Sequence, residues 1–223
     1  VLAVAMLLAG CTTTRDVSQM TPAERRMHEQ GQDFNRTMAE GAVAGAVLGA
    51  ILGAALSSHN RAQGAAIGAG VGLAAGTLGG YYVAKQKEAF ATEEGRLDSM
   101  IGDVRGDNQR LQQLTASARE VIVQDRQRLD QIDREVAAGT AQSDSVRRRL
   151  AAVDENAKFL RSTLDNLNKR LAEYRDAATR ERRQNHANTA GLDGEIARME
   201  QQVASLESEL QALVSRRKVT RVG

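Results

Sequence analysis

Gly41-Ala42-Val43-Ala44-Gly45-Ala46-Val47-Leu48-Gly49-Ala50-Ile51-Leu52-Gly53 opens the stretch whose reading decides the fold. Glycine recurs at every fourth position, at Gly41, Gly45, Gly49 and Gly53. After a polar connector, Ser57 to Gln63, it recurs again at Gly64, Gly68, Gly72, Gly76 and Gly80, and the stretch closes at Ala84. Residues 41–84 carry one charge, Arg61, in a chain that is 26% charged.

Glycine costs a helix in water about 1 kcal/mol relative to alanine. In lipid, unpaired backbone groups are so costly that a helix is nearly obligatory. Small residues four apart then form a flat stripe that a second helix can approach closely. As helices, Gly41–Leu56 would be about 24 Å long and Gly64–Ala84 about 31 Å. The hydrocarbon core is about 30 Å thick. Tyr81 and Tyr82 sit where interfacial tyrosines are common. The expectation is two antiparallel transmembrane helices joined at Ser57–Gln63, with the nine glycines at the packing interface. A Gly/Ala-rich core in a soluble assembly is the competing reading. Gly70-Val71-Gly72-Leu73-Ala74-Ala75 fits a dinucleotide-binding pattern, but that pattern has meaning only after a strand, and no strand is expected here.

Composition narrows the function classes. The chain has 223 residues, a formal charge of +2, no tryptophan and a single proline, Pro22. Basic and acidic residues nearly balance, which argues against a nucleic-acid partner. Nothing after Pro22 forbids long helices, so an all-α chain is expected. The three histidines, His28, His59 and His186, lack metal-ligand spacing. No nucleophile–base set or carboxylate pair stands clear of the charged helix surfaces. No enzyme activity, metal or cofactor is expected.

At the amino terminus, the apolar run Val1–Gly10 reads as part of a secretory signal whose start is missing. It ends at Cys11, the only cysteine. Leu8-Ala9-Gly10-Cys11 resembles the bacterial lipobox, which implies lipid attachment at Cys11. Thr12 after it implies outer-membrane sorting by the same resemblance. Further on, Thr21-Pro22-Ala23-Glu24 places threonine at N-cap, proline at N1 and glutamate at N3, a capping box that starts a helix.

Beyond Lys85 the composition becomes charged and helical. One apolar stripe runs through Leu97, Val104, Leu111, Ala118, Asp125 and Ile132, then Val146, Val153, Leu160, Leu167 and Tyr174. Another runs through Ile101, Asn108, Thr115, Ile122, Leu129 and Val136, then Leu150, Ala157, Leu164 and Leu171. This is coiled-coil spacing, with Asn108 and Asp125 as polar seam residues. Gly139 marks either an antiparallel turn, the first choice, or a point in a continuous rod. A second break follows Ala178. The stripe resumes, shifted by one position, as Leu192, Ile196, Met199, Val203, Leu206, Leu210 and Leu213, through a stutter or another turn.

A lipobox followed by a double glycine zipper resembles the bacterial glycine-zipper lipoproteins of the rickettsial surface-antigen and SlyB type. The resemblance covers Leu8–Cys11 and Gly41–Ala84. It implies a palmitate-bearing, lipid-anchored protein of the outer membrane whose hairpins associate into homo-oligomers. The expected organisation is a partial signal peptide (1–10), a lipidated linker and helix start (11–40), a transmembrane hairpin (41–84), a periplasmic coiled-coil rod (85–218) and a tail (219–223). Membrane lipid is the first expected partner, with other envelope proteins or peptidoglycan beside it. The expected function is a structural protein of the cell envelope. An oligomeric pore or a component of secretion or efflux machinery is the alternative.

Overall fold

The computed structural model describes residues 17–32, 34–36, 85 and 92–220. Cys11 and the nine zipper glycines, Gly41 to Gly80, lie outside these residues. The description that follows covers the helical remainder.

A short 3₁₀ turn, Val17–Gln19, leads into α1, helical over 22–32 and 34–36. The capping box is present: the Glu24 amide donates to Thr21 Oγ1 at 3.2 Å, and the Thr21 amide to Glu24 Oε2 at 2.7 Å. Three long helices follow: α2, Glu93–Ala137; α3, Ser143–Gln184; and α4, Ala190–Val219. Thr92 caps α2 by accepting from the Gly95 amide at 3.1 Å, and Glu93 and Glu94 complement the helix dipole there. α2 ends in a Schellman motif. Gly139, at φ +68°, supplies the left-handed residue; its amide reaches the Val136 carbonyl and the Thr140 amide reaches the Glu135 carbonyl. After α3 the chain turns again with His186 at φ 54°.

Cross-helix bonds fix the directions. Arg149 meets Glu135 while Arg96 meets Glu181, so α3 is antiparallel to α2. Arg105 meets Glu195 while Arg216 meets Asp130 and Asp133, so α4 runs parallel to α2. Arg128 meets Glu24 while Arg26 meets Glu120, so α1 is antiparallel to α2. The result is an up-down-up-down bundle of four helices. The short connections at 138–142 and 185–189 oblige neighbours to be antiparallel.

This bundle corrects the expected architecture of a membrane hairpin followed by a coiled-coil rod. The reason lies in the width of the buried stripe. A two-stranded seam buries two positions per heptad, whereas a bundle helix buries three or four. Along α2, Leu97, Val104, Leu111 and Ala118 are buried, with Ile122 and Leu129 from the second stripe; so too is a third row, Met100, Asp107, Leu114 and Val121. Along α3 the third row is Asn156, Thr163 and Ala177. Each long helix therefore has several neighbours. The shifted register after Ala178 has the same origin. α3 continues to Gln184, the chain turns, and Leu192, Ile196, Met199, Val203, Leu206, Leu210 and Leu213 pack back into the same core.

No helix among the described residues is long and apolar enough to cross a membrane. The described helices instead bury apolar rows against one another and carry ion pairs on their outer faces. The expectations built on transmembrane helices are corrected on this ground. These are the lipid-anchored envelope protein or pore, the membrane-lipid partner, and the outer-membrane location with a periplasmic rod.

Candidate functional site: the polar junction of the N-terminal helix

α1 is attached to the bundle by polar bonds as much as by apolar contact. Its apolar side chains in the core are Ala23, Met27 and Phe34. At its amino-terminal end lies a cluster drawn from three helices. Arg128 Nη1 of α2 donates to Glu24 Oε1 of α1 at 2.6 Å and to Asp125 Oδ1 at 2.7 Å. Asn156 Nδ2 of α3 donates to the same Glu24 Oε1 and to Asp125 Oδ2, both at 3.0 Å. The Glu24 and Asp125 side chains are fully buried.

One guanidinium thus serves two buried carboxylates, and the two respond differently. Burial pushes the Glu24 carboxyl up, but the Asn156 amide, the Arg128 guanidinium and the Thr21 backbone N–H outweigh it and hold the group at about 2. For Asp125 burial wins and raises it to about 6, against Asn156 and Arg128, with the Glu24 charge adding to the rise. Arg128 loses stability as a cation through burial but gains more from the two acids, so its pKa is raised.

Further along α1, Gly31 allows close approach to α3. A Cβ there would lie 2.6 Å from Phe159 Cζ. His28 stacks on the same ring, with centroids 3.9 Å apart. At the carboxyl end of α1, Asn166 Nδ2 donates to Asn35 Oδ1 at 2.7 Å, and Asn35 Nδ2 to Thr163 Oγ1 at 3.4 Å.

The chain is gripped again on the far side of residues 37–84. Lys85, buried, lies 2.8 Å from Asp103 Oδ2 and donates to Ser99 Oγ at 2.8 Å. Asn166 lies one turn from Arg170, which meets Asp107. The Asn35 and Lys85 anchor points are therefore separated by roughly 12 Å along the bundle axis, at about 1.5 Å per residue.

A second buried cluster joins α2 to α3. The Tyr174 hydroxyl donates to Asp107 Oδ2 at 2.6 Å, and Arg170 Nε donates to the same oxygen at 3.1 Å. Arg110 also pairs with Asp107, and the Arg170 guanidinium lies 5.1 Å from the Tyr174 ring centroid. Burial raises Glu173 to about 7 despite Arg170, and raises the Tyr174 hydroxyl well above its ordinary value. Near the start of α2 and the end of α3, Arg96 pairs with buried Glu181 through two nitrogens, at 2.7 and 2.9 Å. Between α2 and α4, Asn108 Nδ2 donates to the Glu195 carbonyl at 2.9 Å and to its carboxylate at 3.1 Å. A shallow groove of about 430 Å³ beside it is lined by Arg105, Gln109, Gln112, Arg198 and Gln202.

The two polar seam residues of the sequence, Asn108 and Asp125, each join a specific pair of helices. Sequence reading missed Arg128, Asn156, Asp107 and Arg170, and treated Glu24 only as a cap. A signal existed: Asp107 lies in heptad step with Met100, Leu114 and Val121. Among the described residues no group of three or more His, Cys, Asp or Glu is placed to hold a metal.

A family model described as YMGG-like Gly-zipper matches residues 1–84. The match ends before α2 and includes α1. It supports a glycine-zipper-like character for that part of the chain. It carries no rickettsial surface-antigen or SlyB identity, and that resemblance is corrected accordingly. No curated protein and no solved structure matches the chain.

Proposed function

We propose that the chain is a non-catalytic structural protein whose helical bundle clamps both flanks of the glycine-rich segment. One observation carries this reading: α1 and Lys85, on either side of residues 37–84, are each tied by buried or partly buried polar contacts to the same bundle. Glu24 and Asn35 make the upstream attachment to Arg128, Asn156, Thr163 and Asn166. Asp103 and Ser99 hold Lys85 downstream. A non-catalytic role agrees with the chemistry of the buried acids. Glu24, Asp107, Asp125 and Glu181 are each spent on a guanidinium or amide of the bundle itself, which satisfies them without a substrate.

The clamp is tested by cutting the chain within Ser57–Asn60 at an introduced protease site and separating the products by size without denaturant. The clamp requires the amino-terminal fragment to remain bound to the bundle, and an R128M/N35A variant to release it. Spontaneous separation of the wild-type fragments, or full retention in the variant, would overturn it.

A further inference from the structure

Two arginines share one acid in the groove between α2 and α4. Arg105 Nε of α2 donates to Glu195 Oε1 of α4 at 3.1 Å, and Arg198 Nη1 of α4 lies 3.5 Å from Glu195 Oε2. Elsewhere between the long helices, acids match or outnumber the arginines they meet. Arg119 meets Glu209, Arg175 meets Glu200, and Arg216 meets both Asp130 and Asp133. The groove walls are the two arginines with Asn108, Gln109, Gln112 and Gln202, and no acid lines it. We propose that the α2–α4 groove binds the carboxyl-terminal end of a peptide, its carboxylate between Arg105 and Arg198 and its last peptide groups against Gln109 and Gln112.

The charge calls for one carboxylate. Burial raises the Glu195 carboxyl, but Arg105, Asn108 and Arg198 outweigh it and lower it, so Glu195 stays charged near neutral pH. Two guanidiniums against one carboxylate leave a surplus of one cation. Among the described residues, no hydrogen bond takes up the Nη groups of Arg105. A guanidinium offers five donors in a planar fork that fits a carboxylate.

The direction of the walls calls for a chain end. α4 runs parallel to α2, so both walls present a guanidinium first and a carboxamide further along. Gln109 follows Arg105, and Gln202 follows Arg198, by four residues or about 6 Å; Gln112 lies about 10 Å from Arg105. An extended peptide advances about 3.3 Å per residue. Two or three residues therefore reach from the arginines to Gln109 and Gln112, whose side chains are exposed. Carboxamides both donate and accept, as peptide groups do. A terminal carboxylate is joined directly to its backbone, on the same line as the walls, whereas a glutamate side chain holds its charge off that line. The groove volume, about 430 Å³, suits a ligand of this size.

The test is a titration of the isotope-labelled full chain at constant ionic strength, read by the backbone amide shifts of 105–112 and 198–202. The probes are acetyl-trialanine with a free carboxylate, the same peptide as its amide, acetyl-alanyl-glutamyl-alanine amide, and inorganic phosphate. The free-acid peptide should move these shifts saturably, and the other three should bind at least about tenfold more weakly. R105Q and R198Q should each weaken the free-acid peptide about tenfold, whereas R175Q, outside the groove, should leave it unchanged. Both groove arginines are more than half exposed, at 58% and 64%, so their replacement spares the core. If one variant does not fold, the other decides. No saturable shift at about 10 mM peptide would overturn the proposal. So would equal or tighter binding of any of the other three probes, or unchanged affinity in the arginine variants. The groove shares no residue with the attachments of α1 and Lys85, so none of these outcomes bears on the clamp.

Discussion

The guanidinium of Arg128 donates to the carboxylate of Glu24 at 2.6 Å across 104 residues of sequence. That bond joins the first helix to the second, although the whole glycine-rich segment intervenes. The same nitrogen serves Asp125 one turn away on its own helix. The attachment of α1 therefore depends on a cation from α2 shared between two acids.

Replacing Arg128 with methionine should release α1. Two buried carboxylates would lose the guanidinium they share, and breaking a buried pair in this way costs roughly 3–5 kcal/mol. α1 packs few apolar side chains, so the loss should appear as undocking of α1 before the rest of the bundle melts. Limited proteolysis should cut R128M between residues 20 and 36 at protease levels that spare the wild type. Equal resistance would refute this.

The Glu173 carboxyl gives stability a pH dependence independent of α1. Its folded-state pKa is raised from 4.5 to about 7. A raised acid means that the folded protein binds more protons than the unfolded chain. Its contribution is thus most favourable below about 4.5 and is lost as pH rises through about 7. The Tm should fall between pH 5 and pH 8, and E173Q should remove part of that slope. A Tm that rises over this range in the wild type would count against the assignment.

Tyr174 tests the second cluster. Phenylalanine keeps the ring in the core but removes the hydroxyl that donates to Asp107 at 2.6 Å. Arg170 and Arg110 remain on Asp107, so the carboxylate is not left without a partner. Loss of one buried hydrogen bond to a charged acceptor should cost about 1.5–3 kcal/mol in urea unfolding. A change within error would show that the two arginines satisfy Asp107 alone.

Two classes of glycine should respond to alanine with opposite sign. At Gly31 a Cβ would fall 2.6 Å from Phe159 Cζ, and the ring is held by its stack on His28. G31A should therefore destabilise α1 docking by roughly 1–3 kcal/mol. At Gly102 and Gly106, inside α2, a Cβ would meet nothing within 4 Å. Each alanine there should stabilise by about 0.5–1 kcal/mol through helix propensity. Thermal melts of the three variants would check both signs.

Much of the helical layer was legible in the chain. Thr21-Pro22-Ala23-Glu24 specifies its own capping box, because the bonds are made within four residues. Gly139 specifies a left-handed helix end for the same local reason. The apolar rows from Leu97 to Leu213 mark the faces that are buried, although Val136 at the end of α2 is exposed. The partner of each face was not legible, because a heptad row of leucines packs equally well in a long coil or against a second and third neighbour. The clue was the polar member of an apolar row. Asp107 and Asn156 occupy core positions where an acid or amide has no value unless another helix satisfies it.

By itself the sequence determined the capping box at Thr21–Glu24 and marked breaks at Gly139 and after Ala178, since caps, glycines and periodicity act over a few residues. The tertiary structure alone decided that four helices close into an up-down-up-down bundle. It also decided that Glu24 meets Asn156 and that one arginine must serve two acids. Glu24 lies more than a hundred positions from both Arg128 and Asn156, and only the packed geometry brings them within hydrogen-bonding distance.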